Sequence, residues 1–352
     1  MRIRSHRRAA AVLTAALSLL VGFAAAPVVA KTDAKSRSPR PPLVECRGVD
    51  MLDELKSRDP ETHARVLADA ARTANGEAML WRIEKAGAAP SHLFGTMHVT
   101  DNRITSWSPA VAAAIGGSRT VLLEVADLSP KALMSAITRA ARLLVFTDGR
   151  RLDTLLEADE FAKVQAAVEK SGLPGNLAAM FKPWLISTLL AVSECEKRNA
   201  DVGHPVLDSK IALEAQARNI PVVGLETVDS QLAAMAAVPD AEQIAMLRMG
   251  LRFTDRSNDM LETLTRMYLN RQMGAAMPFN LALAASAGVE TGAFGGFQRE
   301  LLVKRNRKML DGAKPHLAKG GAFVAVGALH LPGETGLVQL LKDAGYTVTP
   351  VE

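Results

Sequence analysis

Twice in this chain, more than two hundred residues apart, a strand-like apolar run meets a glycine and, three residues later, a histidine. SHLFGTMH ends on His98 and FVAVGALH on His330. Two further short apolar runs, TVLLE and PVVGLE, end on Glu124 and Glu226. Such runs, alternating with helical patterns, predict an α/β layering around a central, mostly parallel or mixed sheet flanked by many helices. In open sheets of that kind ligands bind outside the carboxyl ends of the strands. The pattern that constrains the fold therefore also delivers two imidazoles and two carboxylates to one edge of it.

Between these runs the chain reads as follows. Residues 51–73 predict a helix, and residues 77–84 with 91–98 predict a hairpin turning at Lys85-Ala86-Gly87. Residues 120–124 form a short apolar strand. The segment 130–219 is helical in pattern, broken at Gly172-Leu173-Pro174-Gly175 and restarted at Lys182-Pro183-Trp184, where Lys182 and Trp184 read as packing residues. A strand over 220–226 and a Met-rich helical region over 229–287 follow. The chain closes with a helix (299–310), a strand (322–330), a helix (336–344) and a strand (346–351). Apolar residues at 48% beside 22% charged suit a globular core, and scarce aromatics (4%) beside abundant Ala, Leu and Met favour helix.

No basic face for nucleic acid survives once the N-terminus is set aside. Residues 1–40 hold eight Arg and Lys against Asp33 alone, a surplus of seven, so the formal total of +5 leaves the remainder near −2. These first residues have the layout of an export signal: basic MRIRSHRR, apolar AAAVLTAALSLLVGF, then AAAPVVA, with cleavage expected near Ala26 or Ala30. The alternative is a retained membrane anchor, since the apolar run approaches the ~20 residues that span a bilayer; much of it, however, is weakly apolar Ala, and Pro27 breaks it. The expected organisation is a signal peptide (1–30), a flexible linker (31–44) and one domain (45–352), periplasmic or secreted, meeting membrane only through the signal or an uncleaved anchor. In an oxidising compartment Cys46 and Cys195 could tie the N-terminal segment to the middle of the fold; otherwise they are two unconnected buried thiols.

Imidazole nitrogen and carboxylate oxygen suit a divalent first-row ion such as Mn, Co or Zn, or acid/base work. Gly95 and Gly327, each three residues before a histidine, permit a close backbone approach there. A third element joins these strand ends. In RELLVKRNRKML, Leu301, Arg305 and Met309 recur every four residues, which puts Arg305 on an apolar helix stripe with Asn306 at its border. A buried Arg needs an anionic partner, so Arg305 and Asn306 are expected to hold a substrate carbonyl or a site carboxylate, or else to form a structural ion pair. His92 shares strand parity with His98 but lies too far along it to join the site. Asp208 reads as a helix cap or a site residue, with capping favoured. Glu334 could act as a supporting acid near His330. Met235, Met246, Met249, Met260 and Met267 read as helix core. There is no HExxH, P-loop, Gly-x-Ser-x-Gly or dinucleotide fingerprint, which removes the commonest zincin, NTPase, serine-hydrolase and NAD readings.

The ordered set MLWRIEKAG…SHLFGTMHVTD, VLLEV, KPW, VLDSKIALEAQARNIPVVGLET, KRNRKML and VAVGALHLPGETGLVQLLKDAGYTV resembles the TraB/PrgY/GumN family, related to the Tiki proteins. The resemblance covers about residues 76–352. It implies an α/β fold similar to the haem-uptake ChaN and erythromycin esterase proteins, with both Gly-x-x-His histidines and the Glu between them as the functional core. The Tiki branch is regarded as metal-dependent peptidases. Carried over, this implies that His98, Glu124 and His330 hold a divalent metal, with Glu226 a further position of the site and Arg305 and Asn306 stabilising an oxyanion on a peptide or protein substrate. A non-catalytic haem- or metal-binding protein, or a regulatory partner, is the alternative that the resemblance leaves open.

Overall fold

Short apolar runs pair into a six-stranded mixed sheet, in a computed structural model that describes residues 40–352. The expected signal peptide, its cleavage site and most of the expected linker lie outside the described residues. The strands are β1 (Leu80–Glu84), β2 (Ser91–Thr96), β3 (Thr120–Leu123), β4 (Val222–Gly224), β5 (Ala322–Gly327) and β6 (Thr347–Pro350), ordered β4-β3-β5-β2-β1-β6. β4, β3, β5 and β2 run parallel, whereas β1 is antiparallel to both β2 and β6. The expected hairpin is present, and Gly87 takes the left-handed φ of +80° that its turn needs. As expected for an α/β fold, helices flank the sheet.

Alternation along the central strands divides the core. Phe94, Val121, Leu123, Phe323 and Ala325 join one buried cluster, while Leu93, Leu122, Val324 and Val326 join a second. Both faces of β3 and β5 are thus covered, which is why these strands read as continuous apolar runs rather than alternating ones. A third buried cluster, including Leu133, Val164, Leu185, Leu232 and Leu247, belongs to the helices that follow β3 and β4.

Topology gathers the functional strand ends. β5, last of the four parallel strands, is inserted between β3 and β2. In that register Gly224, Leu123, Ala325 and Phe94 lie side by side on one rung. Glu124, Glu226, His98 and His330 all follow this rung within five residues, at the same edge.

Several boundaries differ from the sequence expectation. The helical stretch 51–73 is two helices, Met51–Arg58 and Pro60–Arg72, because Pro60 lacks an N–H to continue a helix but suits a first helical position, where Asp59 caps the Thr62 N–H at 3.0 Å. β2 ends at Thr96 and β5 at Gly327, short of the histidines, and Ala328–His330 is a tight 3-10 turn. Pairing stops there because the Gly327 N–H is spent on the Glu124 carboxylate. The helix expected at 299–310 is a π-helical segment, Gln298–Val303, running into the α-helix Lys304–Leu317.

Cys46 and Cys195 are disulfide-bonded. Beside the bond, the Asn199 side chain exchanges two hydrogen bonds with the Val44 backbone and donates to Thr100 Oγ1, two residues beyond His98. The N-terminal segment is therefore fastened to the loop that carries one histidine. Among the described residues no helix is long and apolar enough to cross a membrane. Replacing both cysteines by serine is expected to lower stability by about 2–5 kcal/mol, the range for a native disulfide closing a long loop. Urea unfolding of the double variant beside the oxidised protein reads this directly, and an unchanged midpoint contradicts it.

Candidate active site

Three strand ends and one helix converge on a buried charge cluster. Glu124 follows β3 and Glu226 lies two residues past β4; their side chains are 7% and 1% exposed. The Lys304–Leu317 helix projects Arg305 between them. Its Nη2 donates to Glu124 Oε2 and to Glu226 Oε2, each at 2.6 Å, and its Nε donates to Glu226 Oε2 at 3.0 Å. Lys304, Arg307 and Lys308 on the same helix are exposed, as the stripe argument required. Gln231 Nε2 adds donations to Glu124 Oε2 at 2.9 Å and Glu226 Oε2 at 3.3 Å. The remaining oxygen of Glu124, Oε1, accepts the Gly327 N–H at 2.7 Å.

The glycines of the two Gly-x-x-His motifs act through what they lack. A Cβ on Gly327 would stand 3.2 Å from Glu124 Oε1, and one on Gly95 would stand 3.1–3.2 Å from Leu331 and Ala328. Either would push on the turn that carries His330 or on the carboxylate beside it.

Each histidine has a different Nδ1 partner. His98 Nδ1 donates to Asp208 Oδ2 at 2.7 Å, and Asp208 Oδ1 accepts from Thr96 Oγ1 at 2.7 Å. His330 Nδ1 lies 2.6 Å from Asn306 Oδ1, which can only accept, so the proton sits on Nδ1. Asn306 Nδ2 in turn donates to the Thr335 carbonyl at 2.8 Å. His330 Nε2 then points its lone pair towards Glu124, whose Oε1 is 3.7 Å away.

These surroundings drive the two imidazoles apart. Burial alone would lower the pKa of His98, but the Asp208 carboxylate outweighs it and the value rises to about 9. Burial lowers that of His330 to about 4, with Arg305 and His98 adding to it against the opposing pull of Glu124. For Glu124 burial favours the neutral acid, yet Arg305, the two histidines and the Gly327 N–H overcome it and hold the group near 2. Arg305 is pushed upward, since its two carboxylates outweigh its burial. At neutral pH the site thus holds a charged His98 beside a neutral His330.

A cavity of about 280 Å³ opens on this cluster, with His98, Glu124, Gln231, Arg305, Gly327 and His330 among the residues that line it. Of the six site residues expected from the sequence, four line the cavity. Glu226 and Asn306 lie behind it, one holding Arg305 and the other His330. Asn306 does not line the cavity: its Oδ1 faces His330 Nδ1 and its Nδ2 donates to the Thr335 carbonyl. Asp208, favoured as a cap, caps nothing: its helix Leu207–Ala217 starts after Val206 and has no side-chain cap, and the carboxylate orients His98 instead. Glu334 is exposed. Gln231 escaped the sequence reading, for a glutamine inside an Ala- and Met-rich helix carries no signal that sets it apart from a solvated position.

Among the described residues no three His, Cys, Asp or Glu side chains stand grouped as a ready metal-ligand set. The donor chemistry of the two imidazoles nonetheless suits a divalent ion. Each ring has its Nδ1 fixed by a neighbour, the arrangement that commonly orients a metal-ligating histidine. A carboxylate has more lone pairs than Glu124 Oε1 uses on one N–H, so that oxygen keeps room for a further partner.

Comparison with known proteins adds the following. A model described as the TraB/PrgY/gumN family matches residues 79–350. "Metalloprotease TIKI2" of Danio rerio is 23% identical over 316 residues, covering 76% of this chain and 60% of the relative. "Metalloprotease TIKI1" of Homo sapiens is 22% identical over 314 residues, covering 76% and 61%. The "Uncharacterized protein YbaP" of Escherichia coli (strain K12) is 22% identical over 251 residues, covering 71% and 87%. The chain therefore spans about 60% of the length of these Tiki relatives. No solved structure matches it.

Two predictions follow from the electrostatics. Arg305→Met leaves two buried carboxylates without their cation and is expected to cost about 3–5 kcal/mol in urea unfolding at pH 7, with recovery in Arg305→Met/Glu226→Gln; equal stability of Arg305→Met and wild type contradicts it. The second concerns pH. His98 is raised from 6.5, so its stabilisation is complete below about pH 6.5 and lost as pH rises towards 9; His330 is lowered from 6.5, so its contribution is lost as pH falls from 6.5 towards 4. Stability measured from pH 4 to 9 should fall on both sides of about 6.5, with His98→Gln flattening the alkaline limb and His330→Gln the acid one.

Proposed function

The chain belongs to the TraB/PrgY/gumN family, and on that premise we propose that it is an exported, metal-dependent hydrolase of peptide bonds. Residues 1–30 would be its signal peptide and residues 45–352 its hydrolase domain, acting in the periplasm or outside the cell. Its relatives named as metalloproteases support the reaction class. The observation that carries the reading is the pair of Nδ1-anchored imidazoles lining one cavity beside an ionised, buried Glu124.

His330, Glu124 and His98, the last on giving up its Nε2 proton, would hold the divalent ion, with Mn, Co or Zn suited to this nitrogen and oxygen set. When bound, such an ion supplies Lewis acidity and a nucleophilic water at neutral pH. The chain's own groups prepare the rest. Asn306 holds His330 in the tautomer that presents Nε2 to the cavity, and Asp208 aligns His98. Arg305 keeps Glu124 ionised and fixes its direction. Glu124 Oε1, 3.7 Å from His330 Nε2, would alternatively serve as the base that takes a proton from a hydroxyl group beside it, a role open to it only while it is not itself a ligand. The apolar walls of the cavity limit the water that competes with a bound peptide.

A second reading, haem or metal binding without turnover, is favoured by the bonds that Arg305, Gln231 and Gly327 already make to Glu124. Incubating the protein with a peptide library and added Mn or Co separates the two. Hydrolysis is expected, with at least a hundredfold loss in His98→Ala and His330→Ala, a scale in keeping with removing a positioned catalytic group. Undiminished activity in these variants rejects the scheme. A Soret band on haem titration without hydrolysis supports binding alone.

A further inference from the structure

The loop that carries His98 is neither strand nor helix over residues 97–101, so its shape comes from the side chains that grip it. Asp208 takes the His98 ring, and one helix, Glu194–Asp201, takes Thr100 two residues on. Glu196 and Asn199 stand three apart on that helix and so share a face. Glu196 Oε2 accepts the Thr100 N–H at 2.9 Å, and Asn199 Nδ2 donates to Thr100 Oγ1 at 3.0 Å. Both side chains are buried, Asn199 with 1% exposure.

Asn199 also reaches the other way. Its Nδ2 donates to the Val44 carbonyl at 2.8 Å, and its Oδ1 accepts the Val44 N–H at 2.9 Å. Both N–H groups and the oxygen of the amide are thereby used, which fixes its direction. Val44 is 46% exposed, and of residues 40–50 only Cys46 is buried. Burial does little to keep this segment in place. Besides an exposed contact of His204 with the Pro41 carbonyl, the tie that holds residues 40–46 is the Cys46–Cys195 bond, one helical turn from Asn199. If Val44 leaves, the buried amide loses two hydrogen bonds, a costly state that it relieves by turning away from Thr100.

We propose that Asn199 is a positioning residue of the metal site, linking the Cys46–Cys195 bond through Val44 and Thr100 to the placement of His98. This rests on reading His98 as a metal ligand. The disulfide then supports the site as well as the fold: a chain without it holds a divalent ion less tightly.

The test is a titration of Co²⁺ into the full chain, followed by the visible absorption of the bound ion. The variants are Asn199→Leu, Cys46→Ala/Cys195→Ala and the three changes combined. Alanine is chosen over serine so that no hydroxyl is set beside the Asn199 amide, which lies 3.7 Å from Cys46 Sγ. Asn199→Leu and the cysteine variant should each bind Co²⁺ about tenfold more weakly, the low end of the range for residues that support a metal ligand. Acting along one path, the combination should be at most about threefold weaker than either, whereas independent effects would multiply to about a hundredfold. Thr100→Val, which removes only the oxygen that Asn199 grips, should match Asn199→Leu and replaces it if that variant does not fold; Thr100→Ser should restore binding. Leu133→Ala, in the separate helical cluster, lowers stability off this path and should leave affinity unchanged. Wild-type affinity in Thr100→Val, losses that multiply, or an equal loss in Leu133→Ala overturns the proposal. If the wild type takes up no Co²⁺, the metal reading fails, and the His98 Nδ1–H proton resonance of the metal-free protein decides on positioning. It should be sharp in wild type and Thr100→Ser and broadened by exchange with water in Thr100→Val; a sharp signal in all three overturns the role of Asn199.

Discussion

The site depends on one guanidinium shared by two carboxylates. Parallel strands deliver Glu124 and Glu226 to the same buried edge, where two like charges would otherwise repel and one would take up a proton. Arg305 removes that conflict with a fork of N–H groups whose planar spacing matches carboxylate oxygens, something a lysine could not reproduce. The rest of the geometry is hung on this contact. Glu124, held in direction, takes the Gly327 N–H, ends the β5 ladder and so turns the chain into the 3-10 step that carries His330. The same pairing leaves Gln231 with one acceptable amide orientation.

Around this centre the fold treats two chemically identical rings differently. His98 meets a carboxylate and is kept charged; His330 meets a neutral carboxamide in a fully buried place and is kept neutral. Pairs of titratable groups whose environments separate their pKa values are the usual mark of acid and base assignments in active sites. Here Asp208, from outside the cavity, outweighs burial at His98, whereas burial, helped by Arg305 and His98, lowers His330.

Much of this was legible in the sequence because it follows from local pattern. An apolar strand that ends on a titratable residue announces both its burial and its exit, which located His98, Glu124, Glu226 and His330, and a helix stripe interrupted by Arg305 implied an anionic partner. The parts that were not legible depend on long-range placement. That β5 would enter between β3 and β2 is a matter of topology, and periodicity does not encode it. Asp208 reads more readily as a cap than as a site residue, because an Asp near a helix start usually is one; that this helix begins after Val206, leaving the carboxylate to face His98, emerges only in three dimensions. Gln231 gave no cue at all, since its role exists only once two remote carboxylates are beside it. Pro60 is a different case: its dipeptide Asp-Pro signalled a helix start, and reading straight through it merged two helices.

The π-helical segment Gln298–Val303 has a consequence for how this lineage can change in length. Each turn there holds more residues than an α turn, and its upstream end is anchored where the Gly296 and Phe297 N–H groups meet the Glu242 carboxylate. Deleting a single residue between that anchor and Arg305 is absorbed when the wide turn closes into an ordinary α turn, which keeps the guanidinium on the side of both strands. A second deletion there finds no wide turn left to absorb it and would swing Arg305 by about 100° around the helix axis, so homologous chains that keep the cluster should lose at most one of these six residues.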